Sequence, residues 1–119
     1  MNSIILYGIP NCDTVKKARA WLAENGVAYT FHDFKKAGIS ADKLHAWAAA
    51  AGWEALLNRK GTTWRGLDAA TQATVVDAPS AIALMAQHTS VIKRPVVERL
   101  AGAELLVGFD AGAWAKFKL

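Results

Sequence analysis

The first third of the chain reads as strand, helix, strand, and that order restricts the fold more than anything else in the sequence. Ser3 to Tyr7 is a short, β-branched and apolar run ended by Gly8 and Pro10, which predicts a buried strand. From Thr14 to Asn25, Val15, Ala18 and Leu22 fall on one helical face with Trp21 beside them, while Lys16, Lys17 and Glu24 look outward and Gly26 stops the helix. Val27 to Asp33 alternates Tyr29 and Phe31 with polar neighbours and predicts a second strand. A helical crossover between neighbouring strands makes them parallel, so the chain is α/β.

The middle has another character. Ser40 caps a predicted helix through Ala51, Trp53 to Asn58 predicts a further turn or two, and Asp68 and Pro79 open helical stretches to Asp77 and His88. Residues 40–88 therefore read as an all-helical insertion. Beyond them Ser90–Lys93, Val96–Leu100 and Glu104–Val107 are strand candidates, with Ala101-Gly102 placed to turn a hairpin, and Ala111–Leu119 predicts a closing helix. No repeat or linker divides the 119 residues, which fit a single domain spanning 1–119. The order is β-α-β, helices, β-hairpin, α.

Cys12, the one cysteine in the sequence, sits where the first strand hands over to the first helix, in Gly8-Ile9-Pro10-Asn11-Cys12-Asp13-Thr14. A helix start leaves backbone N–H groups unpaired, and with the aligned peptide dipoles they favour a thiolate. A lone cysteine is more often a buried small hydrophobe, but here it follows a Pro-Asn turn rather than lying in an apolar run. Asn11 and Thr14 flank the thiol and are candidate substrate-binding residues. Asp13 opposes the thiolate by its charge and Lys16 favours it, so these near neighbours leave the net shift unsigned. Val15 stands where a C-x-x-C motif has its second cysteine, which leaves any redox cycle to an external thiol such as glutathione or a second protein. His32, His45 and His88 lack the local spacing of a cysteine-histidine pair or of a metal site, and no metal is expected.

Composition narrows the partners. With 53% hydrophobic and 20% charged residues the chain has the make-up of a soluble globular protein, and no stretch approaches the ~20 apolar residues that span a bilayer. The N-terminus carries no basic region and no small-residue cleavage site, so the expected location is the cytoplasm. The net charge of +4 comes from scattered cations without a run of five or six, which argues against nucleic acid and for a small anionic ligand. Two basic sites stand out: Arg59-Lys60-Gly61-Thr62-Thr63-Trp64-Arg65, and Lys93-Arg94-Pro95 at a strand junction. Guanidinium forks hold carboxylates and oxyanions through paired hydrogen bonds, so Arg59, Arg65 and Arg94 are candidate ligands. Pro95 removes a backbone donor beside Arg94 and has a cis bond available to it.

Taken in order, Tyr7-Gly8-Ile9-Pro10-Asn11-Cys12-Asp13-Thr14, Trp53 to Arg59, Gly61-Thr62-Thr63-Trp64-Arg65, Ile92-Lys93-Arg94-Pro95 and Leu106-Val107-Gly108-Phe109 resemble the arsenate reductase/Spx family, and within it the YffB group. The resemblance covers nearly the whole chain. It implies a thioredoxin-like fold with a helical insertion, Cys12 as nucleophile, Pro95 as a cis-proline facing it, and Arg94 beside the sulfur, lowering its pKa. For the YffB group it implies a glutathione-dependent thiol reductase with no bound cofactor, whose partners are glutathione and a glutathionylated or oxidised thiol. Arsenate reduction with glutathione and glutaredoxin is one alternative, and binding of RNA polymerase by a regulator of the Spx kind is another. Two departures weigh against arsenate: Asn58 stands where the arsenate reductases have an arginine, with Arg59 one place later, and Phe109 replaces their third arginine.

Overall fold

In a computed structural model that describes residues 4–99 and 104–117, the chain runs β1 (Ile4–Gly8), α1 (Asp13–Glu24), β2 (Thr30–Asp33), α2 (Phe34–Ala37), α3 (Ala41–Ala51), α4 (Trp53–Leu56), α5 (Thr62–Gly66), α6 (Ala69–Ala73), α7 (Ala78–Gln87), β3 (Val96–Arg99), β4 (Leu105–Val107) and α8 (Ala111–Phe117). These elements group into a sheet unit, Met1–Ala37 with Arg94–Leu119, and a helical unit, Gly38–Lys93. Among the described residues no helix is long and apolar enough to cross a membrane.

The sheet unit is ordered β2-β1-β3-β4. β1 runs parallel to β2, with Leu6 opposite Phe31, and antiparallel to β3, with Leu6 opposite Val97; β3 and β4 are antiparallel, with Val97 opposite Leu106. Because side chains alternate along a strand, Ile4 and Leu6 share one face, where they meet Ala18 and Leu22 of α1, Val97 and Trp114. Each large side chain sequestered here contributes roughly 1.5–3 kcal/mol. Trp114 anchors α8 by edge contacts with Trp21 at 5.6 Å and Phe109 at 4.8 Å, and its Nε1 donates to the Gly108 carbonyl at 3.2 Å. A parallel β-α-β half joined through β3 to an antiparallel β-β-α half is the thioredoxin-like fold.

In the helical unit, Leu44 and Trp47 of α3 and Ala81, Ile82, Leu84 and Met85 of α7 are buried, and α3 packs against α7. Ser40 caps α3 as expected, its Oγ accepting the Lys43 N–H at 3.1 Å. Asp77 and Ser80 form a reciprocal capping box at the start of α7, with Pro79 in its first turn.

Several expectations need correction. Ser90–Lys93 is not a strand: Thr89–Val91 forms a 3-10 turn, and Ile92 makes a single antiparallel bridge to Leu57. Local bonds win there, since the Val91 and Ile92 N–H groups donate to the His88 and Thr89 carbonyls. A short apolar β-branched pair can be buried equally well in a turn. The helix expected to reach Asp77 stops at Ala73, where the Thr74 and Val75 N–H groups turn back to Thr71 and Gln72. The second strand begins at Thr30 rather than Val27, and α2 and α5 were not foreseen; α5 occupies what reads in sequence as a basic loop. The proposed turn at Ala101-Gly102 lies outside the described residues.

Candidate active site

Cys12 is the N-cap of α1, with extended backbone (φ −140°, ψ 124°), and its carbonyl accepts the Lys16 N–H at 2.9 Å. The cap position follows from sequence: Pro10 cannot extend the strand ladder, and Asp13-Thr14 suit a first turn. Behind it the end of β1 comes close to α1, since a Cβ on Gly8 would lie 2.8 Å from Cγ2 of the buried Val15. A glycine there lets the helix start sit directly on the strand end.

The thiol is partly buried. Burial pushes it up, but the Val15 N–H, the Arg94 guanidinium as both donor and charge, and the Thr14 N–H outweigh that effect and hold Cys12 below the ordinary thiol value. The Sγ makes no capping bond of full hydrogen-bond geometry, so the two N–H groups act on it as oriented dipoles. The unsigned contest between Asp13 and Lys16 is thus decided by other groups. Val15, which in sequence marks only an absent second cysteine, acts through its main chain; its place as third residue of a helix begun by Cys12 was the available signal.

Arg94 is half-buried and its Nε lies away from solvent, where a cation acts on its neighbour with little screening. The Arg94-Pro95 bond is cis, and Pro95 is buried at the head of β3. Its carbonyl accepts the Gly108 N–H at 2.8 Å, and Gly108 has a φ of 81° that other residues rarely adopt. The chain then directs Phe109 into the cluster around Trp114. Phe109 therefore has a packing role in this chain.

Of the other sequence candidates, Asn11 and Thr14 are exposed beside the thiol. Arg59 and Arg65 belong to the helical unit, both exposed; Arg59 lies between the rings of Trp53 (5.6 Å) and Trp64 (5.8 Å). His45 and His88 are exposed, and His32 makes a tilted ring contact with Tyr7 at 4.7 Å and an edge contact with Phe34 at 5.9 Å. Among the described residues no three His, Cys, Asp or Glu side chains gather as a metal site. One pair escaped the sequence reading: Tyr7 donates its hydroxyl to Glu98 Oε1 at 2.9 Å, diagonally across β1 and β3. Burial, then the Glu98 carboxylate, pushes the Tyr7 hydroxyl far up.

A helix-capping thiol, held low by main-chain N–H groups and an arginine that precedes a cis-proline, is equipped to attack a disulfide or another electrophilic centre. The model of the ArsC family matches residues 7–117. A solved structure of the YffB protein is 51% identical, covers 96% of this chain and 97% of its own, and superposes with a TM-score of 0.89. An arsenate reductase (ArsC) related protein from Brucella melitensis is 49% identical over 98% of this chain and 96% of its own, with a TM-score of 0.75. An uncharacterized protein of Haemophilus influenzae is 37% identical over 107 residues, 90% of this chain and 91% of that one. The global transcriptional regulator Spx of Streptococcus pyogenes is 25% identical over 96 residues, 79% of this chain and 70% of that one.

Proposed function

From its membership of the ArsC family, to which the chain belongs, we propose that this protein is a glutathione-dependent thiol reductase. Reductase chemistry is what the arsenate-reductase-related relatives support at the level of the family. The finer reading rests on one observation: the Cys12 thiol is held low by Arg94 and the first turn of α1, in a sequence with no second cysteine to resolve an adduct.

The cycle has two exchanges. The Cys12 thiolate attacks the glutathione sulfur of a glutathionylated thiol, forming Cys12–S–S–glutathione as the old disulfide breaks and the substrate leaves as a thiolate. A second glutathione thiolate then attacks the adduct, releasing oxidised glutathione and restoring the Cys12 thiolate. One mixed disulfide and one glutathione thiolate thus give the free substrate thiolate and one oxidised glutathione, half of which comes from the mixed disulfide. Arg94 stabilises the sulfur while it is anionic, before the first step and after the second. In this reading Asn11 and Thr14, exposed beside the thiol, supply polar contacts to the bound substrate.

Treatment with oxidised glutathione followed by mass spectrometry tests this. One adduct on Cys12, removed by reduced glutathione, is expected; a thiol left unmodified would contradict the proposal. Arsenate reduction is the second reading, favoured by the Brucella relative. It predicts arsenite release that needs glutathione and glutaredoxin and disappears in Cys12→Ser. Phe109, turned into the Trp114 cluster, argues against it, because a third cation for a tetrahedral oxyanion is missing there.

A further inference from the structure

On the helical unit, a cleft of about 240 Å³ is lined by Glu54, Leu57, Asn58, Arg59, Lys60 and Lys93, with Ala55 at its wall. The bridge between Leu57 and Ile92 builds it. Lys93 N–H donates to the Leu56 carbonyl at 2.7 Å and Asn58 N–H to the Val91 carbonyl at 2.8 Å, which fixes residue 93 alongside residues 56–58. Asn58 shapes the next corner: its Oδ1 accepts the Lys60 N–H at 3.2 Å, and a Cβ on Gly61 would stand 2.8 Å from its Nδ2. The loop holds this course only with glycine at 61 or with Asn58 displaced.

Among the described residues, Arg59, Lys60 and Lys93 make no ion pair, and neither does Glu54. The three cations outnumber the one carboxylate of Glu54 in this lining and repel one another, a cost that an anion in the cleft reduces. Arg59 is also braced by the rings of Trp53 and Trp64, and it is exposed to solvent. A braced side chain loses less freedom on binding than a loose one. Glu54 decides the kind of ligand. A plain dianion would meet its carboxylate as a repulsion, whereas a molecule carrying an ammonium and two carboxylates would use all four groups.

We propose that this cleft is a binding site for a small amphoteric dicarboxylate, with Arg59, Lys60 and Lys93 receiving carboxylates and Glu54 receiving the ammonium. Glutathione belongs to that class, and its choice as the ligand rests on the reduction reading, while the site itself stands on the cleft. Arg65, expected from sequence as a carboxylate ligand, is not in the lining.

The test separates binding from thiol chemistry. The full chain carrying Cys12→Ser is titrated with S-methylglutathione, which cannot form a disulfide, and with succinate, which lacks the ammonium, while amide resonances are followed. Saturable shifts at residues 54–60 and 93 are expected with S-methylglutathione. Arg59→Gln and Lys93→Gln should each weaken it about tenfold, the order expected for a lost charge-assisted hydrogen bond. Glu54→Gln should weaken S-methylglutathione but not succinate. Absence of saturable binding, shifts confined to other residues, or affinity unchanged in the Arg59 and Lys93 variants would overturn the site. Adduct formation on the unaltered chain is read separately, so that failure of the cleft with a retained Cys12 adduct refutes this inference alone, and the converse refutes the reductase reading alone.

Discussion

A thiol at a helix start becomes acidic only when N–H dipoles and a nearby cation outweigh the cost of burying its anion, and at Cys12 they do. The thiol's position was legible in sequence. Its charge was not, because the deciding cation, Arg94, is remote along the chain and reaches the sulfur only through the fold. Alkylation of Cys12 followed against pH should therefore show a midpoint below the usual thiol value. Arg94→Ala should move it upward and slow the reaction several-fold at neutral pH; an unchanged profile would remove Arg94 from the site. Linkage gives the matching stability effect: the thiolate's contribution is full above the unfolded thiol pKa and is lost as pH falls through the lower folded value. Tyr7 works in the opposite direction. Its hydroxyl is pushed up, so its contribution is full below the unfolded value near 10 and is lost as pH rises beyond it. Denaturant melts should show a loss of stability in alkali that Tyr7→Phe reduces, at a neutral-pH cost of about 1–2 kcal/mol for the lost bond to Glu98.

At the scale of elements, α1 owes its placement to the close approach of Gly8 and Val15. Gly8→Ala should cost about 1–3 kcal/mol in chemical unfolding, as an overpacked contact does, and shift the Cys12 alkylation profile as the helix start moves. A variant with wild-type stability and reactivity would show that Val15 can yield. The Ser40 cap was readable because its signal is local, whereas Asp77, which reads in sequence as the end of the preceding helix, caps α7; Ser40→Ala should lower stability by about 1 kcal/mol. The Ser80 side chain and N–H hold Asp77 below the usual carboxylate range. Its support for α7 is therefore present above the unfolded carboxylate pKa and lost as pH falls through the lower folded one. Periodicity failed where the chain is short and apolar. Val91 and Ile92 carry strand propensity, yet i to i+3 bonds close a turn there, and nothing in the pattern separates the two. The brief helices α2 and α5 escaped for a related reason, since four or five residues are too few to display a period.

For the molecule as a whole, the β-α-β opening and the β-β-α close specify the thioredoxin-like sheet unit, and both were readable from strand and helix order. The cleft was not, because Lys93 joins Asn58 and Arg59 only through the Leu57–Ile92 bridge. The chain belongs to the ArsC family, and on the proposed reductase reading its single cysteine leaves the closing step to an outside reductant. The most direct measurement is steady-state turnover of a glutathionylated peptide with glutathione as the only reductant. The unaltered protein should release one free peptide thiol per oxidised glutathione formed, and Cys12→Ser should release none above the uncatalysed rate. Equal rates for the two proteins, or no turnover by the unaltered chain, would contradict the account.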